Sequence, residues 1–206
     1  MRDSNFTSWL SQGVFDLIDT TKRSLWISMA WIIFNPLFWN VAARIEHSTR
    51  ILTKLTGSSR RGCYFLGATI FLIGLLRDNA FKEALKDQPT HDLLDNSLTR
   101  LLAKLFFTTG SILVVSSMWA LGVTGTYLGD YFGILMDHIV RGFPFNITSS
   151  PMYNGSSLCF LGTALSYKSP AGLILTSIVY VVYRIALSFE DPFTAKIYQA
   201  RNSKSK

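Results

Sequence analysis

Charge is scarce in this chain. Only 16% of its 206 residues are Asp, Glu, Lys or Arg, while 49% are hydrophobic. Soluble domains carry roughly 25% charged residues, so the shortfall excludes an ordinary water-bathed domain and points to lipid as the solvent. Linkers, low-complexity tracts and repeats of fixed period are also missing, and the length fits one domain over residues 1–206. Cysteine and histidine are few. Cys63 and Cys159 both lie in apolar stretches and the three His are scattered, which predicts buried thiols and gives neither a disulfide framework nor a metal-ligand spacing. Residues 1–23, "MRDSNFTSWLSQGVFDLIDTTKR", contain acids and no uninterrupted apolar core, so no cleaved signal peptide is expected and insertion falls to the later segments.

The formal net charge is +7, yet the bases are not interleaved with aromatics as on a nucleic-acid face, and no nucleic-acid partner is expected. They gather between apolar runs. Residues 44–61 hold Arg44, Arg50, Lys54, Arg60 and Arg61 against Glu46, and the tail carries Lys196, Arg201, Lys204 and Lys206. Such collars suit lipid headgroups or simply set topology.

Four segments have the length and hydropathy of membrane crossings. Residues 25–43 contain Asn35-Pro36 at their middle, which predicts a kinked or re-entrant helix, because proline removes a helix hydrogen bond. Residues 62–76 would span only roughly 22 Å, with Arg60, Arg61 and Arg77 placed to snorkel to the two surfaces. Residues 105–122 form the clearest crossing, and Gly110, Ser111, Ser116 and Ser117 would let a neighbouring helix approach closely. Residues 171–189 form the last, with Arg184 near enough to its end to snorkel. Between these, 155–165 is short and reads as a half-helix packed on the final segment. The fold expected is an all-α polytopic membrane bundle of three to five segments. Placing both termini on the side of the 77–104 loop makes them cytosolic by the positive-inside rule, a choice that the 44–61 cluster opposes.

Polar residues are concentrated in two islands. Residues 122–157 combine glycines with Asp130, Asn146 and Tyr153 among Tyr127, Tyr131, Phe132, Phe143 and Phe145, a composition suited to a ligand-lined pocket. Glu190-Asp191 stands at the boundary of the last segment, as a binding pair or as a solvated helix end. Three glycosylation sequons start at Asn5, Asn146 and Asn154, and His138 reads as a surface residue.

The stretches "FNPLFWNVAARIEH" (34–47), "LGVTGTYLGDYFGIL" (121–135), "GFPFNITSSPMYNGSSLCFLGTAL" (142–165) and "EDPFTAKIY" (190–198) resemble the phospholipid N-methyltransferases, which make phosphatidylcholine from phosphatidylethanolamine. The likeness covers nearly everything from residue 30 onward. "SPMYNG" is more distantly similar to a box of the isoprenylcysteine carboxyl methyltransferases, but Ser149 and Ser150 stand where those carry Arg-His.

The resemblance implies an integral endoplasmic-reticulum enzyme that uses S-adenosylmethionine; the charge pattern makes its C-terminus cytosolic, and the Cys and His spacing offers no metal site. Such an enzyme would convert phosphatidyl-N-methylethanolamine to the dimethyl form and then to phosphatidylcholine, with phosphatidylethanolamine a slower acceptor. It also implies a cofactor motif at Thr108-Thr109-Gly110, where Thr108 replaces a first glycine, and a second at Glu190-Asp191. On this basis Glu190 and Asp191 would take the cofactor's ammonium or ribose hydroxyls, and Asn146, Tyr153 and Gly155 would complete its pocket. Tyr127, Tyr131 and Phe132 would face the substrate cation, Arg141 its phosphate, and Asp130 would accept the proton. Packing for the glycines, an interfacial belt for the aromatics and helix capping for Asp130 remain open alternatives. So do a protein methyltransferase and a non-enzymatic scaffold or transporter.

Overall fold

A computed structural model describes residues 17–137 and 140–204, with side chains as far as residue 200. The Asn5 sequon, His138, Lys206 and the side chains of Arg201 and Lys204 lie outside the described part. Regular structure there consists of α1 (Arg23–Thr49), α2 (Ile51–Thr56), α3 (Ser59–Asp87), α4 (Ser97–Thr126), α5 (Pro151–Ser166) and α6 (Pro170–Lys204), with short 3₁₀ turns at Asp92–Leu94 and Gly129–Phe132. Four helices, α1, α3, α4 and α6, are long and apolar enough to cross a membrane. The chain therefore forms the all-α polytopic bundle expected of it.

α1 stays helical through Asn35-Pro36, so the re-entrant form does not occur. Leu25, Ile32, Trp39 and Ala43 make one buried stripe on it, and that packing holds the helix across the hydrogen bond that Pro36 cannot donate. Past its end, Arg50 turns the chain with φ 57°. The fully buried Glu46 then accepts from Leu52 N at 2.7 Å and Thr53 Oγ1 at 2.5 Å, satisfying free donors at the start of α2.

α3 runs well beyond the expected 62–76. Its buried stripe continues through Arg77, Phe81, Ala84 and Leu85, so Arg77 points into the bundle and does not snorkel. α4 breaks where the third apolar segment was expected to end: Gly122 has φ 65° and ψ −179°, a conformation that L side chains rarely adopt. This break redirects residues 123–132 back over the bundle, where Tyr131 and Phe132 become part of a core with Ala43, Cys63 and Leu66.

The expected half-helix 155–165 is a complete helix of 16 residues opened by Pro151 in its first turn. At roughly 24 Å it falls short of the hydrocarbon thickness, and it lies antiparallel against α4. A Cβ on Gly162 would meet Ala103 O at 2.6 Å, and one on Gly110 would meet Gly155 O at 2.4 Å.

α5 carries the chain back through the bundle, and this decides where the ends lie. On one face the N-terminal approach meets the α3–α4 loop through Asp19 N donating to Gln88 Oε1 at 2.9 Å. On that same face His91 N donates to Lys168 O at 3.0 Å in the α5–α6 connection. The opposite face carries α2, the 127–150 connection and the end of α6, tied by Tyr198 OH accepting from Met136 N at 3.2 Å. The two ends of the described chain, residues 17 and 204, are thus on opposite faces, and the termini whose shared side was expected lie outside the described residues. The 44–61 bases and the end of α6 share a face, which removes the conflict seen in the charge count.

Candidate functional site

The site is built where α1, α5 and α6 meet below the redirected 127–132 segment. Glu190 enters from α6 with only 9% of its surface exposed. Its Oε1 accepts from Trp39 Nε1 and from Asn40 Nδ2, each at 2.7 Å, and its Oε2 accepts from Tyr153 OH at 2.5 Å. Three donors on two oxygens is the pattern of an ionised carboxylate. Among the described residues no ion pair includes Glu190, so the charge is hydrogen-bonded but not neutralised. A buried anion without a counterion is costly, and this one is held by neutral groups in a form suited to receive a cation.

Aromatic rings surround that carboxylate. Trp39 and Tyr153 lie 6.3 Å apart, Tyr153 meets Tyr183 edge-on at 5.0 Å, and Tyr183 lies 6.4 Å from Trp39. One turn further along α6, Phe193 stacks on Tyr131 at 4.9 Å and meets His47 edge-on at 5.2 Å. The Arg44 guanidinium sits over Phe193 at 4.6 Å and donates to Phe189 O at 2.9 Å, so a cation already rests on an aromatic face beside the site. Asp130 is brought to the same end of α6, its Oδ2 accepting from Thr194 Oγ1 at 2.8 Å. The neighbouring His47 Nδ1 is buried with no hydrogen-bond partner.

Of the residues singled out in the sequence, Glu190, Tyr153, Asp130, Tyr131 and Phe132 converge on this region, while others lie elsewhere. Asp191 is exposed on the side of α6 away from the carboxylate network. Gly110 and Gly155 face one another across the α4–α5 seam, and Cys159 Sγ would lie 2.8 Å from a Cβ at Gly110. Thr108 and Thr109 are exposed on the outer side of α4, and Asn146 and Arg141 are exposed in the 127–150 connection. Tyr127 packs over Gly67 of α3 and its carbonyl accepts from Cys63 Sγ at 3.3 Å. Among the described residues no three His, Cys, Asp or Glu side chains gather as a metal ligand set.

Sequence reasoning assigned no role to Trp39, Asn40, His47, Thr194 or Tyr183, and read Arg44 only as part of a basic collar. Periodicity places Trp39 on the buried stripe of α1, but nothing in one sequence says that its indole reaches an acid 151 positions away. A signal for Arg77 did exist: an arginine directly after an apolar run, inside a helix that continues, is a functional candidate by default.

A helical membrane bundle that buries an uncompensated carboxylate among aromatic rings has the makings of a site for a cationic ligand. Comparison with known proteins places it further. The profile of the phospholipid methyltransferase family matches residues 98–201. A phosphatidyl-N-methylethanolamine N-methyltransferase of Schizosaccharomyces pombe is 57% identical over 184 residues, 89% of this chain and 94% of the relative. Its counterpart in Neurospora crassa is 54% identical over 190 residues, 92% of this chain and 89% of the relative. The phosphatidylethanolamine N-methyltransferase of Mus musculus is 46% identical over 194 residues, covering 94% of this chain and 96% of its own. No solved structure matches. The chain belongs to the phospholipid methyltransferase family and is an enzyme of that type.

Proposed function

We propose that this chain methylates the amine of phospholipid headgroups with S-adenosylmethionine, taking phosphatidyl-N-methylethanolamine to the dimethyl form and on to phosphatidylcholine, with phosphatidylethanolamine a slower acceptor. The observation that carries the reading is the buried, uncompensated Glu190 carboxylate. Its surroundings fit the cofactor: a carboxylate fixed by Trp39, Asn40 and Tyr153 accepts from an ammonium or from ribose hydroxyls without reorganising. When bound, S-adenosylmethionine supplies a methyl group on a cationic sulfur. Glu190 and Tyr153 hold that ligand, and the rings of Tyr131 and Phe193 supply faces for positive charge, each worth about 0.5 to 2 kcal/mol.

An amine attacks only through its lone pair. The headgroup amine titrates like a lysine, near roughly 10, so one proton must leave for each methyl added. Asp130 is the acceptor in this proposal. It lies beside Tyr131, and Thr194 Oγ1 together with the backbone N–H groups of Asp130 and Tyr131 orients its carboxylate. Arg44, resting on Phe193, would yield its place on the ring to the substrate ammonium and turn to the lipid phosphate, a partner that its fork of donors suits.

The proposed setting is the endoplasmic-reticulum membrane with the C-terminus cytosolic. Supporting this, the bases at 44–61 and the end of α6 share one face, which the positive-inside rule assigns to the cytosol. Asn146 lies on that face and stays unglycosylated in this arrangement. A glycan there would reverse the orientation.

The test is methyl transfer from radiolabelled S-adenosylmethionine in membranes containing the chain, with phosphatidylethanolamine and its mono- and dimethyl forms offered separately. Strong labelling of the two methylated acceptors is expected. No labelling of any acceptor, with the protein inserted and the cofactor intact, would overturn the proposal.

A further inference from the structure

Arg77 is a buried cation near the middle of a membrane-spanning helix, and the chemistry above does not use it. Such a charge is expensive in a bilayer and persists where partners fix it. Here Nη1 donates to Tyr183 OH at 2.5 Å, while Nε and Nη2 donate to Asp78 Oδ1 at 3.0 and 2.9 Å. The face of the guanidinium covers Phe160 at 4.9 Å. All three guanidinium nitrogens donate within the bundle and one face is covered by a ring, so Arg77 is held by protein groups. It is a clamp from α3 onto one tyrosine of α6.

What that tyrosine touches gives the clamp its role. Tyr183 OH is 3.1 Å from Ser156 Oγ on α5. Its ring packs edge-on against Tyr153 at 5.0 Å and lies 6.4 Å from Trp39. Tyr153 and Trp39 are two of the three donors to Glu190. One ring, fixed at its hydroxyl by a buried arginine, therefore backs two of the groups that hold the carboxylate.

We propose that Arg77 and Tyr183 form a positioning pair that sets the Glu190 carboxylate for cofactor binding. The inference rests on the assignment of Glu190 above. Loss of the clamp lets Tyr183 shift, Tyr153 and Trp39 lose their backing, and Glu190 Oε2 is the first atom to lose its donor. Cofactor affinity falls as a result. The lipid amine and its proton acceptor are served by Asp130 and the Phe193 ring, outside this chain of contacts, so the KM for lipid is unaffected.

The experiment is a double-mutant cycle on the inserted full chain, with Arg77→Met, Tyr183→Phe and the double variant measured beside Glu190→Gln. Three readouts are taken: equilibrium affinity for S-adenosylmethionine, KM for dimethyl lipid, and thermal unfolding without cofactor. Each single variant is expected to weaken cofactor binding roughly tenfold, the scale of one hydrogen bond to a charged group. The double variant should lose no more than either single one, because both break the same link. Arg77→Lys keeps a donor toward Tyr183 and should recover part of the affinity. Unchanged cofactor affinity in Tyr183→Phe, or losses that add in the double variant, would overturn the positioning role. If Arg77→Met does not fold, Tyr183→Phe decides alone, since it keeps the ring and removes only the hydroxyl. Undiminished cofactor affinity in Glu190→Gln would instead defeat the underlying assignment, an outcome separable from failure of the pair.

Discussion

Two seams of this bundle look alike in sequence and differ in substance. The α4–α5 seam carries glycines at motif-like positions, and both Gly110 and Gly155 are accounted for by helix contact, each lying where a Cβ would strike the opposing backbone. The α1–α5–α6 junction carries an acid where packing alone would place a hydrophobe, and among the described residues that acid has three hydrogen-bond donors and no ion-pair partner. Small residues let helices close up; uncompensated charge waits for a ligand. The first seam supplies rigidity and the second supplies chemistry.

Removing the charge at the second seam should produce the largest effect. Glu190→Gln leaves a side chain of the same size but should cost on the order of 3 kcal/mol of cofactor binding, about 150-fold. Asp191→Asn, on the exposed side of α6, should change it less than threefold, by roughly the 0.5 kcal/mol typical of a surface substitution. Equal losses from the two would dissolve the distinction between a buried binding acid and a solvated neighbour. Next in size is Asp130→Asn, expected to lower turnover on the order of 100-fold while cofactor affinity holds. Because a base works only when deprotonated, the wild-type rate should fall toward low pH as Asp130 protonates, whereas the variant, which depends on amine already deprotonated in solution, should keep rising with pH toward the amine's value of roughly 10. An unchanged pH profile would remove Asp130 as proton acceptor.

At the glycine seam the expected consequence is one of stability. Gly110→Ala places a methyl group against Gly155 O and Cys159, an overpacking that costs about 1 to 3 kcal/mol and lowers the unfolding temperature. Cofactor affinity measured below that temperature should be unchanged.

The smallest effect belongs to the face opposite the site. Asp95 there accepts from Lys168 Nζ at 2.6 Å and pairs with Arg100 at 3.2 Å. The Lys168 hydrogen bond comes first in holding its carboxyl below the usual range, and the pair is exposed. A depressed carboxylate stabilises the fold above its unfolded value of about 3.9, and that contribution fades as pH falls through the lower folded value. Asp95→Asn should shift thermal stability barely detectably at neutral pH, remove this small acid dependence and leave methyl transfer unchanged.

Hydropathy made the architecture legible, because a membrane demands long apolar helices and little else satisfies the backbone there. Boundaries were less legible where tertiary contacts extend a helix past its apolar run. α3 continues through Arg77 because Asp78 pairs with its charge and Tyr183 OH accepts from it, and α5 is a full helix because glycine contacts with α4 support it. The second of the two cofactor motifs illustrates the limit at the site. Adjacent residues on a helix point about 100° apart, so Glu190 and Asp191 could not both enter one narrow junction, yet the sequence gives no sign of which one does. Asp130 and Tyr153 were visible as polar groups amid apolar ones. Their partners, Thr194 for Asp130 and Glu190 for Tyr153, come from another helix, and such pairings exist only once the bundle has closed.

The most direct test of the account is the affinity of Glu190→Gln for S-adenosylmethionine, measured with that of Gly110→Ala in the same lipid nanodiscs and with unfolding temperatures for both. The account predicts lost binding with an intact fold for Glu190→Gln, and intact binding with a weakened fold for Gly110→Ala. The reverse pattern would place the cofactor at the glycine seam and contradict the central claim that the buried carboxylate defines the site.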